Sequence, residues 1–235
     1  MESLIDVMKT TAPGAIVEYH SPAWVIPATT LVTGDDSRLE VGKEAAQAVL
    51  SSHSCTPRLA FLQLGQALIL VHRNDAKSAE RDYSYLLAFS EVMPEGEPLC
   101  QVGSCVIRTL GLLSHTMGDL DQAVEHFEDS LSFCRPAGFQ PELAWTSRDY
   151  AETLSKRDNE GDRAKAVSLL DESLTISTEL SMRPLMERVL NRQEILYRRM
   201  VVKGVYNRIL TVSIVPLRIC NPSQPEPQIN GKRIV

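Results

Sequence analysis

From about residue 36 to 200 apolar residues recur at intervals of three and four, the spacing that lines one face of a helix, and strong helix formers fill the positions between clear stops. The pattern predicts an all-α fold. Thr56-Pro57 supplies an N-cap and a proline at the first helical position for RLAFLQLGQALILVHR, and Asn74-Asp75 separates that helix from AKSAERDYSYLLAF. A second hairpin begins near Leu99, runs through CVIRTLGLLSHTM to Gly118, restarts at Asp119 with Gln122 three residues on, as in a capping box, and ends before Pro136 and Gly138. A third runs through PELAWTSRDYAETLSK, breaks at NEGD around Gly161 and resumes as RAKAVSLLDESLTISTEL; RPLMERVLNRQEILYRR follows as one more helix. Ahead of these, residues 1 to 35 are set apart as an N-terminal cap region, in which AWVIPATTLVT reads either as a short helix bent at Pro27 or as a packed cap. After about 201 the helical pattern fails: VVKGVYNRILTVSIVPLRIC has β-type composition and NPSQPEPQINGKRIV is proline-rich and polar. Residues 201 to 235 are expected to be a disordered basic tail.

The hairpins align with one another. Placing Ala79, Ala123 and Ala166 in one column puts Tyr83, Phe127 and Leu170 four residues later and Leu86, Ser130 and Ser173 seven later. In the preceding helices Ala67, Gly111 and Ala151 take the small position, with Asn74, Gly118 and Gly161 in the turns. Two antiparallel helices approach closely only where neither carries a large side chain, while an aromatic or leucine one turn later fills the adjoining gap. The steps, 44 residues from Ala79 to Ala123 and 43 from Ala123 to Ala166, predict stacked helical pairs in which each unit buries its apolar face on the next. An irregular helical bundle with coincidental matches is the competing reading. The columns resemble the tetratricopeptide repeat, most closely over 104 to 137, where Leu110, Gly111, Gly118, Ala123, Phe127 and Ser130 stand at the family's preferred sites. Ile107 and Ser114 replace the usual Trp and Tyr, and the third unit has three extra residues in its turn, so the repeats are degenerate. Gly34-Asp35 followed by Ala45, Val49 and Ser52 suggests a weaker fourth unit. The resemblance implies a right-handed α-solenoid of three to four helical pairs over 36 to 200.

A more specific resemblance covers about 57 to 196. GLLSHTMGDLDQAVEHFEDSLSFCRPAGFQPELAWTSRDYAETL and GDRAKAVSLLDESLTISTELSMRPLMERVL are similar to the C-terminal helical-repeat region of large bacterial ATPase regulators related to LuxR-type transcriptional activators, and of relatives fused to class III nucleotide cyclases. In those proteins the region is a sensor or scaffold arm controlling attached ATPase and output domains. This chain shows no Walker A motif, no cyclase domain and no helix-turn-helix after Leu196, so only the arm carries over.

Composition narrows the partners. With 43% apolar and 23% charged residues the chain reads as an ordinary soluble globular protein, and its net charge of −6 is a poor footprint for phosphate backbones. That average hides a split: residues 197 to 235 hold seven basic residues (Arg198, Arg199, Lys203, Arg208, Arg218, Lys232 and Arg233) and one acidic residue, Glu226, so the tail is +6 and residues 1 to 196 carry −12. Cys55, Cys100, Cys105, Cys134 and Cys220 are odd in number and form no CxxC pair, which reads as reduced thiols in a cytoplasmic protein. The start carries no secretory signal, and the longest apolar stretch is short and interrupted by Pro216 and Arg218, so neither export nor a membrane segment is expected.

Candidate chemistry is sparse. EVGKEA lacks the glycine spacing and the Ser or Thr of a phosphate loop and reads as a helix face. His20, His53, His72, His115 and His126 show no metal-ligand spacing, and Cys100 and Cys105, five apart, do not share one helix face. No Ser sits in a GxSxG elbow, and Cys134 has no fixed His partner. We therefore expect no catalytic residues, no metal and no cofactor.

The informative group follows from the resemblance, because in tetratricopeptide stacks the first helices line the concave surface. Counting from Gly111 and Ala151 pairs Cys105 with Trp145, Arg108 with Arg148, Leu112 with Glu152 and His115 with Ser155. Arg108 and Arg148 would then face one groove and hold a carboxylate or acidic peptide through forked hydrogen bonds, with Trp145 as a platform and Leu112, His115 and Glu152 around them. On the plainer reading these arginines pair with local acids such as Asp149 or Glu152, and Trp145 and Tyr150 are core. The expected function is a non-catalytic interaction or sensor module of bacterial signalling with a protein or peptide partner, acidic if the arginines take part, and with no nucleic acid or membrane. The alternative is a detached C-terminal arm of a larger ATPase or cyclase, inactive without its other domains.

Overall fold

A computed structural model describes the backbone over 17–51, 59–92 and 106–213, with side chains over 22–48, 62–90 and 106–198. Thr56, Pro57, Leu99, Cys105, the side chain of Val49, Ser52 and the proline-rich end over 214–235 lie outside the described residues. Among those described the structure is all-α, with nine helices and no strand: α1 Val17–Thr33, α2 Leu39–Ser51, α3 Leu59–Arg73, α4 Ala76–Val92, α5 Val106–Met117, α6 Leu120–Ala137, α7 Gln140–Arg157, α8 Asp162–Glu179 and α9 Arg183–Ser213. None is long and apolar enough to cross a membrane. The chain divides into two compact units at Glu194 and Ile195, inside α9. In the first unit each helix from α1 to α7 packs on the next, and the odd-numbered helices α1, α3, α5 and α7 also touch one another in sequence.

The residues aligned by spacing sit where helices approach. Ala67, Ala79, Ala123, Ala151 and Ala166 are fully buried. A β-carbon on Gly111 would come within 2.9 Å of the Phe127 ring, so the empty position on α5 is filled by the aromatic that follows Ala123 by one turn on α6. Phe127 in turn stacks on Tyr150 of α7, their ring centroids 5.8 Å apart, and Tyr150 is buried. Ser130 Oγ lies 3.2 Å from Thr146 Oγ1, and Ser173 Oγ donates to the Ala144 carbonyl at 2.7 Å, so small hydroxyls fasten α6 and α8 to α7. The turn residues Asn74, Gly118 and Gly161 all adopt positive φ, as helix ends of this kind require.

Residues 17 to 33 form one continuous helix containing both Pro22 and Pro27, not a separate cap. Proline inside a helix removes a hydrogen bond to the carbonyl four residues back. The burial of Ala23, Trp24, Ile26 and Ala28 against α2 and α3 compensates for that loss. Pro27 leaves the Ala23 carbonyl without its intrahelical donor, and Gly65 of α3 packs directly on that oxygen: a β-carbon there would lie 2.1 Å from it. Gly42, in the EVGKEA segment, packs on Ile26 and Pro27 in the same way. The α1–α2 pair therefore belongs to the helical array, with Gly34 at φ +79° in its turn and Ala45 buried.

Three local expectations are corrected. Asp119 caps α6 by accepting from the Gln122 amide at 3.1 Å, but the Gln122 side chain donates to Glu125 at 3.0 Å instead of closing a reciprocal box. Helix α6 runs through Pro136 to Ala137, because a proline in the last turn disturbs little of the ladder, and Gly138 at φ +71° stops it. The helix beginning at Arg183 does not end near 200 but continues to Ser213. Extending an existing helix needs no new nucleus, and each β-branched residue opposes it only by tenths of a kcal/mol, roughly 0.5 at most. The compact unit that holds the array ends at Glu194, earlier than the compositional change.

Candidate functional site

The first unit contains a cleft of about 210 Å³ lined by Leu31 of α1, Val71 and Asn74 at the end of α3, four residues of α5, four of α7 and Arg188 of α9. Its α5 residues are Arg108, Leu112, His115 and Thr116, and its α7 residues are Trp145, Arg148, Asp149 and Glu152. The six residues singled out from the sequence, Arg108, Leu112, His115, Trp145, Arg148 and Glu152, thus all line one cleft. Every lining residue lies on an odd-numbered helix or in the turn after one.

The two aligned arginines have different environments. Arg108 is only 1% exposed and is engaged by protein: its Nε and Nη2 both reach Asp149 Oδ2 at 2.8 Å, and Nη1 stands 3.5 Å from Glu142. It forms the floor of the cleft. Arg148, with 24% of its side chain exposed, donates to the other Asp149 oxygen at 2.9 Å and stands 3.8 Å from Glu152. Burial alone would raise the Asp149 carboxyl, but the flanking Arg108 and Arg148 hold it below its ordinary value. Glu152 takes a second guanidinium, Arg192, at 2.9 Å.

Trp145 is 5% exposed, so it is not an open platform. Instead the guanidiniums of Arg108 and Arg188 stand 5.6 and 5.5 Å from its ring centroid. His115 Nδ1 lies 2.7 Å from Thr153 Oγ1, and that oxygen also lies 3.1 Å from the Asp149 carbonyl. Burial, followed by nearby Lys156, lowers the His115 pKa and keeps the ring neutral at pH 7. Among the described residues no group of His, Cys, Asp and Glu converges as a metal site.

The sequence reading missed Arg188. The signal is present: Arg108 and Arg148 are 40 residues apart, and another 40 reaches Arg188. The same step carries Leu112 and Glu152 to Arg192, which pairs with Glu152. Stopping the alignment at α7 left out the helix that completes the cleft. Compared with protein-family models, with curated proteins and with solved structures, the chain matches none of them.

Proposed function

We propose that this chain is a non-catalytic interaction or sensor module of a bacterial signalling system, built as a tetratricopeptide-like right-handed solenoid whose inner face binds a protein or peptide. The observation that supports the reading is the lining of the cleft by odd-numbered helices and the turn after one of them, the arrangement expected when alternate helices of a stack face one groove. Arg108, Arg148, Asp149 and Glu152 hold one another in place, so little ordering of these four side chains is left for a partner to impose. The partly exposed guanidiniums of Arg148 and Arg188 in the cleft lining favour an acidic partner. The odd number of cysteines and their scattered spacing, with no CxxC motif, fit a cytoplasmic setting.

The test is affinity capture from host lysate on the immobilised full chain, compared with Arg188→Glu after circular dichroism shows both to be folded. A protein retained by the wild type and lost by the variant is the expected result. Equal retention by both, or retention by neither, overturns the proposal, as does turnover of ATP by the purified chain.

A further inference from the structure

The cleft carries an unbalanced charge. Three guanidiniums, Arg108, Arg148 and Arg188, and two carboxylates, Asp149 and Glu152, line it, which leaves one positive charge. Asp149 is occupied by Arg108 and Arg148, and Glu152 by Arg192 with Arg148 at longer range. Arg188 forms no ion pair among the described residues; it rests against Trp145, and its Nη2 lies 3.5 Å from where a β-carbon on Gly34 would stand. Desolvation, then the charges of Arg148 and Arg108, press on this guanidinium, with Asp149 only partly offsetting them. A second donor is also idle: Arg148 Nε is buried without a hydrogen-bond partner.

We propose that this cleft is a site for a small monocarboxylate with a compact apolar body, and that Arg188 is the residue that recognises its anionic group. The inference rests on reading this face as a binding surface and adds the class of ligand. A planar guanidinium fork matches a carboxylate, and one surplus charge matches a monoanion; a phosphate dianion would leave an excess negative charge beside Asp149 and Glu152. Leu31, Val71 and Leu112 provide an apolar wall for the body of the ligand. A volume of about 210 Å³ falls below the range of roughly 300 to 1,000 Å³ that holds drug-sized molecules, so the ligand is small.

Benzoate is the probe, titrated calorimetrically into the full chain, with benzamide as its neutral counterpart and inorganic phosphate as the dianion. Benzoate is expected to bind one to one, benzamide and phosphate at least tenfold more weakly. Arg188→Gln is expected to weaken benzoate at least tenfold, and Arg188→Lys, which keeps the charge but not the fork, to fall between. Because Arg188 holds no carboxylate, both variants are expected to keep the wild-type circular dichroism and to remain folded at about 25 °C, with the thermal midpoint lowered only by the weakened contact with Trp145, which separates lost recognition from lost folding. Absence of benzoate binding up to roughly 10 mM, equal binding of benzamide or phosphate, or unchanged affinity in Arg188→Gln overturns the inference. Partner capture that persists when benzoate fails to bind would remove this inference alone, whereas benzoate binding without any captured partner would remove only the protein-partner reading.

Discussion

Arg108 and Arg148 occupy equivalent positions in the sequence columns but differ in what surrounds them. Taking a guanidinium from water costs several kcal/mol unless carboxylates accompany it, and Arg108 has Asp149 and Glu142. Arg108→Met leaves the buried Asp149 with one partner and is expected to destabilise the chain by about 3 kcal/mol or more in urea unfolding. Arg148→Met, at a partly exposed site, is expected to lower stability by about 1 kcal/mol or less. The shared face of these residues was legible because register alone determines it. The plainer reading, arginines paired with acids such as Asp149, was legible too and matches what Arg108 does; its second partner Glu142, on another helix, was not.

His126 gives a second test at this scale. Its Nε2 lies 2.9 Å from the Tyr83 hydroxyl, and burial lowers its pKa from 6.5. Above 6.5 the imidazole is neutral in both folded and unfolded chains and contributes no pH dependence. As pH falls below that value the unfolded chain takes the proton first, so the native state loses stability until its own lower pKa is passed. His115 acts with the same sign. Unfolding free energy is therefore expected to fall as the pH is lowered below 6.5, and His126→Gln to reduce that fall.

At the scale of the elements, close approach and capping determine which substitutions matter. Gly65→Ala drives a methyl into the Ala23 carbonyl, a backbone atom that cannot move aside, and is expected to cost about 3 kcal/mol. Gly111→Ala meets only the Phe127 ring at 2.9 Å. Its ring can shift, and alanine's better helix propensity returns roughly 1 kcal/mol, so a smaller loss of stability is expected. Asp119→Ala removes the α6 cap and is expected to cost about 1 kcal/mol, while Gln122→Ala, whose side chain reaches only Glu125, changes stability by about 0.5 kcal/mol or less. Chemical denaturation of the four variants ranks them. Most helix boundaries were legible because turn residues such as Asn74, Gly118 and Gly161 mark them. Helix α1 was not fully legible, because its two prolines argue locally against a helix that tertiary burial retains. The stretch 201–213 was misread because β-branched composition is a weak signal beside an established helix.

For the whole molecule, all residues lining the cleft precede the division at Glu194. A chain ending at Glu194 is expected to unfold in one cooperative transition, with a thermal midpoint within about 5 °C of the full chain by differential scanning calorimetry. It loses the buried Leu196 and the +6 of residues 197–235, so its net charge shifts from −6 to −12.

The order in which the cleft is completed along the chain has a consequence during synthesis. Before α9 emerges from the ribosome, the guanidiniums of Arg108 and Arg148 stand beside three carboxylates, Glu142, Asp149 and Glu152, and the group is net acidic. Only α9 brings Arg192 to Glu152 and Arg188 to Trp145, so a nascent chain lacks the surplus positive charge that would hold an anion there, and recognition begins when the array is complete.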